Sequence, residues 1–153
     1  MNYISHRGNL DGRIPERENS PDYIDKAIAE GFQVEVDLHQ IGYDLFLGHD
    51  FPQYLIDWEW LCNRSISLLI HAKNFAAAQW LSRTELHFFC HTSDPYTITS
   101  QGFMWLHNLS SNVKPNCIVP LITSELLDAY TGEEMAAICT DFPHKAVLKY
   151  ENR

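Results

Sequence analysis

Residues 20–38 read Ser20-Pro21-Asp22-Tyr23-Ile24-Asp25-Lys26-Ala27-Ile28-Ala29-Glu30-Gly31-Phe32-Gln33-Val34-Glu35-Val36-Asp37-Leu38. The first half predicts a helix over 21–30. Ser20 is a good N-cap, because its hydroxyl can accept a bond from an otherwise orphan N–H. Pro21 suits the first helical position, where no N–H is needed, and Asp22 favours the positive end of the helix dipole. Ile24, Ala27 and Ile28 form one apolar face. Gly31 is placed to end the helix in a left-handed conformation. The second half, Phe32 to Leu38, predicts a strand in which Val34, Val36 and Leu38 face one way and Glu35 and Asp37 the other.

Outward from this unit, short apolar runs recur at Tyr3–Ser5, Ile66–Ala72, Leu86–Cys90, Phe103–Leu106, Cys117–Ile122, Ala136–Cys139 and Ala146–Tyr150. With Phe32–Leu38 they make eight candidate strands, of the continuous apolar kind that suits parallel sheets covered on both faces. Weaker helices are expected over 57–63, 75–82 and 124–130. Leu45–Leu47 is a short extended piece bracketed by Gly42 and Gly48, with Tyr43 and Asp44 in a turn. Alternating strands and helices indicate α/β. Eight strands close a barrel, yet the usual (β/α)₈ domain has about 250 residues and this chain has 153. The expectation is one domain over 1–153, a compact TIM-type (β/α) barrel with shortened or missing helices. An open sheet is the alternative.

The formal net charge of −9 and the scattered Lys and Arg argue against nucleic acid, which is held by clustered basic residues. A metal could still supply local positive charge for a phosphate. Cys62, Cys90, Cys117 and Cys139 form no C-x-x-C pair, so neither a zinc ribbon nor a thioredoxin-like site is expected. Three of them lie in apolar runs and are expected as buried free thiols. The first residues lack a basic region followed by an apolar one, and no apolar run approaches the roughly 18 residues of a membrane helix. A cytoplasmic protein without an integral membrane segment is therefore expected.

Polar residues gather where the apolar runs end: His6 and Arg7, Glu35 with Asp37 and His39, His49 and Asp50, His71 and Lys73, His91, and Asp141. In a parallel barrel those ends share one face. Two carboxylates on one side of an apolar strand are costly unless something positive lies between them, and a hard cation preferring oxygen ligands is the natural partner. His91, at the fourth strand's end, is a candidate for lining the pocket and touching substrate. His39 shares the side of Glu35 and Asp37, where it could support the ligands. His87, His107 and His144 are expected to be structural or superficial, and the four tryptophans to be core.

Four elements occur in order: His6-Arg7-Gly8, Glu18-Asn19-Ser20, Gly31 through Glu35 to Asp37, and Gly48-His49-Asp50. Together they resemble the glycerophosphodiester phosphodiesterase family, whose signature is H-R-G, P-E-N-T, a helix, G-x-x-x-E-x-D and a following H-D. The match covers about the first third of the chain. Leu69 to Lys73 falls where the family has L-x-E-x-K, and Cys139 to Pro143 resembles its late T-D-x-P. The resemblance implies a TIM barrel with its site at the C-terminal face of the strands. By position, it implies that His6 and His49 are the general acid and base. Arg7 and Lys73 would hold the phosphate, and Glu35 and Asp37 a metal. Glu18 and Asn19 would order the site.

His71 stands where the family has its third carboxylate ligand. Mg²⁺ or Ca²⁺ remains the first expectation, while His71 as a metal ligand opens Zn²⁺ or Mn²⁺. The expected function is metal-dependent hydrolysis of a small phosphodiester by two-histidine acid/base catalysis. The alternatives are a lyase releasing a cyclic phosphate and a non-catalytic barrel binding an anionic sugar phosphate or a partner.

Overall fold

The computed structural model describes residues 1–107, 113–131 and 134–151. Among them the chain forms β1 (Asn2–His6), α1 (Pro21–Ala29), β2 (Gln33–Ile41), β3 (Asp44–Leu47), β4 (Tyr54–Ile56) and α2 (Trp58–Cys62). After a 3-10 turn at Ser65–Ser67 come β5 (Leu68–Ala72), α3 (Phe75–Leu81), β6 (Phe88–Cys90), β7 (Tyr96–Ile98) and β8 (Met104–Leu106). The chain continues with β9 (Cys117–Pro120), α4 (Ser124–Ala129), β10 (Ala137–Thr140) and α5 (Pro143–Glu151).

The expected TIM-type barrel does not form. The sheet has ten strands and is mixed. Its parallel part runs β6-β5-β2-β1-β10-β9-β8. Strands β3 and β4 add an antiparallel annex to the end of β2, and β7 pairs antiparallel with β8. The result is an open, curled half-barrel with few helices. The alternation fails between β6 and β9, because the chain after β6 makes a β7–β8 pair where a βα unit would need a crossover helix. Among the described residues no ladder joins β6 to β7 or β8. Ser100 spans that gap, its N–H donating to Phe88 O at 2.8 Å and its Oγ accepting from Phe88 N at 3.0 Å.

Local expectations fared unevenly. Helix α1 forms, with Tyr23, Ile24 and Ala27 buried. Its end is a Schellman turn: Gly31 sits at φ 92°, Gly31 N–H bonds Ile28 O and Phe32 N–H bonds Ala27 O. Ser20 does not cap with its side chain, since its Oγ donates back to Arg17 O. Ala146–Tyr150, expected as the eighth strand, lies inside α5. An apolar run of that length carries no periodicity able to separate strand from buried helix. Strands β4 and β7 were not expected at all; both have only three residues and exposed positions.

Two apolar clusters lie outside the curl, beneath the helices. One joins Val34, Val36, Leu38 and Ile70 to Ile24, Ala27 and Leu81. The other joins Tyr3, Val119 and Ile138 to Leu127 and Ala146. Cys117 and Cys139 are buried free thiols, whereas Cys90 is exposed. No described helix is long and apolar enough to cross a membrane.

Candidate metal and phosphate site

A third cluster takes Ile4, Leu69, Phe89, Trp105 and Ile118 from five strands, with Ala137 and Cys139 from β10. It fills the inside of the curl. Moving two residues along each strand keeps the same face and gives His6, His71, His91, His107, Pro120 and Asp141. Because the strands are parallel, these positions rise together to one end. His6, His71, His91, His107 and Pro120 line a cavity of 840 Å³ with Arg7, Glu35, His49 and Lys73, while Asp141 and Asp37 lie behind it against His6 and His71.

Glu35 and Asp37 are almost completely buried. Asn19 clamps Asp37 from both sides: its Nδ2 donates to Asp37 Oδ2 at 2.9 Å, and its Oδ1 accepts from Asp37 N at 2.9 Å. Asn19 does this from φ 63°, and Arg7 sits at φ 56°. Left-handed residues other than glycine are uncommon and gather at functional sites. The two are tied together, since Arg7 N donates to Glu35 O and Asn19 N to Arg7 O. Arg7 Nη1 donates to Glu18 Oε2 at 3.2 Å, and Arg7 Nε lies 3.0 Å from Asp37 Oδ2. Glu18 also accepts from Asn9 and Arg13.

Three histidines have an orientation their partners dictate. A carboxylate can only accept, so His6 Nδ1 donates to Asp141 Oδ1 at 2.7 Å. This leaves His6 Nε2 on the side of Glu35, 3.9 Å from its Oε2. His49 repeats the arrangement at the rim, with Nδ1 on Asp50 at 2.8 Å. Gly48 makes that rim turn possible: at φ 149° an added Cβ would lie 2.1 Å from Phe51 O. His71 Nε2 donates to His91 O at 3.1 Å, and its Nδ1 faces Asp37 Oδ1 at 3.2 Å and Glu35 Oε1 at 3.8 Å. Lys73 Nζ stands 3.5 Å from Asp37 Oδ1.

The two carboxylates of β2 differ electrostatically. Burial and the neighbouring Asp37 push the Glu35 carboxyl above its usual range, against His6, Arg7 and His71. Burial also penalises Asp37, but His71, Arg7 and Lys73 outweigh it and hold its carboxyl well below the usual range. Among the described residues four buried polar side-chain atoms lack a hydrogen-bond partner, and three are here: Arg7 Nε, Glu35 Oε2 and Asp37 Oδ1. The contacts of Arg7 Nε and Asp37 Oδ1 have ion-pair distances without hydrogen-bond alignment. Orphaned buried carboxylate oxygens are expensive. Donor atoms of Glu35, Asp37 and His71 lie within 4.8 Å of one another, so the residues present fit a divalent cation.

Of the expected residues, His6, Arg7, Glu35, His49, His71, Lys73 and His91 line the cavity, and Glu18, Asn19 and Asp37 lie behind them. His91 contributes its carbonyl to His71, while its ring lines the cavity and bonds Asp94 O. His39 turns instead to Gly48 O at 2.9 Å, bracing the rim turn. Sequence reasoning assigned no role to Asp141 or Asn9, whose Nδ2 bridges Glu18 and Asp141. It also placed His107 outside the site, yet His107 lines the cavity and packs on His91 with ring centroids 4.3 Å apart. The usable signal was His107's position two residues beyond an inward Trp105. The opposite wall is apolar, built by Trp105, Pro120, Ile122 and Leu126. No protein-family model, curated protein or solved structure matches this chain.

Proposed function

We propose that this chain is a divalent-metal-dependent phosphodiesterase, with chemistry of the glycerophosphodiester phosphodiesterase type carried on an open sheet. The observation that carries the reading is the pair of buried carboxylates, Glu35 and Asp37, each with an orphaned oxygen. Glu35 lines one cavity with His6, His49, Arg7 and Lys73, and Asp37 lies directly behind it against Arg7, His71 and Lys73. Glu35, Asp37 and His71 hold the metal, which supplies Lewis-acid stabilisation of charge on a phosphoryl oxygen. Arg7 and Lys73 bind the phosphate, Arg7 through guanidinium donors beyond the two that face carboxylates. Asp141 fixes the His6 tautomer, so that Nε2 is the nitrogen available for proton transfer. Burial, with Arg7 and Lys73 adding to it, lowers the His49 imidazole against the pull of Asp37 and Asp50. That favours the neutral, proton-accepting form at neutral pH. One histidine takes a proton from the nucleophile and the other returns one to the leaving alkoxide. The apolar wall receives the less polar substituent of a small diester.

The test is turnover of a phosphodiester panel, including glycerophosphocholine and an activated aryl diester, with divalent metals and with chelator. Metal-dependent turnover is expected, falling by about 10²–10⁴-fold in His6→Ala while metal affinity stays unchanged. Product analysis separates a monoester from a cyclic phosphate. Bound metal without turnover of any diester would leave the site a binding site and end the hydrolase reading.

A further inference from the structure

The histidine in the ligand set has a consequence for which metal this site takes. His71 is held at an edge and on a face. Its Nε2–H is committed to the His91 carbonyl, and its ring face stacks on Phe89 with centroids 4.6 Å apart and planes 11° apart. Phe89 stacks in turn on Trp105 at 4.5 Å, so an aromatic column crosses the gap that no ladder closes and backs the ring from behind. A carbonyl cannot donate, so Nε2 carries a hydrogen, and Nδ1 is the ring nitrogen left to meet a ligand. Nδ1 faces Asp37 Oδ1 and Glu35 Oε1. Donor atoms of the three side chains thus converge within 4.8 Å of one another, and Glu35 Oε2, in a residue only 2% exposed, has no hydrogen-bond partner. A second ring N–H held by a backbone carbonyl is also the usual companion of a metal-ligating histidine.

We infer that the Glu35, Asp37 and His71 centre is a mixed nitrogen–oxygen site for a borderline transition metal of the Co²⁺ or Zn²⁺ kind, with His71 Nδ1 as a ligand, rather than an all-oxygen Mg²⁺ or Ca²⁺ site. This rests on the metal site proposed above and names its metal class. Mg²⁺ and Ca²⁺ favour oxygen donors and gain little from imidazole, whereas imidazole suits the later divalent metals. Later divalent metals generally bind nitrogen- and oxygen-donor sites more tightly than earlier ones, so the diagnostic is how the preference changes with residue 71.

The experiment measures metal affinity of the full chain by competition with a chromogenic chelator, for Zn²⁺, Co²⁺, Mg²⁺ and Ca²⁺. It compares wild type, His71→Glu and His71→Gln. The ratio of Zn²⁺ to Mg²⁺ affinity is expected to fall by about tenfold or more in His71→Glu, with Mg²⁺ binding strengthened. In parallel, proton NMR of the Co²⁺-loaded wild type should give a paramagnetically shifted, solvent-exchangeable ring N–H from His71 Nε2, absent in His71→Gln. That spectrum needs no variant to fold for its first half. An unchanged ratio in His71→Glu, or Co²⁺ bound without the shifted N–H, overturns the assignment. Failure here with Mg²⁺-dependent turnover would leave the phosphodiesterase reading standing. The expected selectivity without turnover would do the reverse.

Discussion

The cavity has two walls built on different parts of one sheet, and they are held by different forces. On the β1, β2 and β5 side, His6, Arg7, Glu35, Asp37, His71 and Lys73 are fixed by ion pairs and by hydrogen bonds to Asn19, Asp141 and His91 O. On the β8, β9 and α4 side, Trp105, Pro120, Ile122 and Leu126 are held by packing. The first wall leaves carboxylate oxygens unsatisfied and two residues at positive φ. The second continues the apolar filling of the curl through Phe89 and Trp105. A wall kept ready for a ligand stores unfavourable free energy, and a wall that only packs contributes stability.

Substitution on the two walls should separate these roles. The largest effect belongs to Glu35→Gln. Removing a buried carboxylate whose ionisation is already disfavoured is expected to cut turnover by about 10³-fold or more and to weaken metal binding. The unliganded chain should melt no lower than wild type, because the substitution removes a buried like-charge pair. Melting curves with chelator, set beside metal titrations, check this. A large stability loss would erase the contrast between the walls.

Trp105→Ala should do the opposite. Its loss is expected to cost about 3–5 kcal/mol of stability, measured by denaturant unfolding, with metal affinity changing far less than the fold does. A Trp105→Ala chain that keeps its stability would mean that the aromatic column does not hold the curl together.

The smallest effect lies off both walls. His144 on α5 donates from Nδ1 to Asp11 and from Nε2 to Glu30, joining the loop after β1 to the end of α1. The Asp11 hydrogen bond, with Glu30 adding to it against slight burial, raises the His144 imidazole above its usual range. A raised folded-state value means that this stabilisation is fully present below about pH 6.5, the ordinary histidine value. It is lost as pH rises through the folded-state value. The cluster is substantially exposed, so screening limits the effect to a few tenths of a kcal/mol. Unfolding midpoints of wild type and His144→Gln should therefore differ only on the acid side. An equal difference at pH 9 would show that packing on Phe32 is responsible.

Legibility followed the range of the interactions. Helix α1 and strand β2 could be read because Pro21, Gly31 and the alternation from Val34 to Leu38 are local signals, and the shared side of Glu35 and Asp37 follows from strand period alone. The pairing of His6 with Asp141 was not legible. It exists because β1 lies beside β10, which sets Ser5 level with Thr140 across most of the chain. His107 was misjudged for the same reason, since its side depends on β8 lying against β9.

The sequence by itself determined the side of β2 on which its carboxylates stand and the helix that precedes them. These depend on backbone geometry within about ten residues. Only the tertiary structure decided that the sheet stays open, that antiparallel strands replace βα units after β6, and that 146–150 is helix. Those outcomes depend on which strand edges find partners and which apolar faces find cover. Short apolar runs carry no local periodicity that encodes either choice.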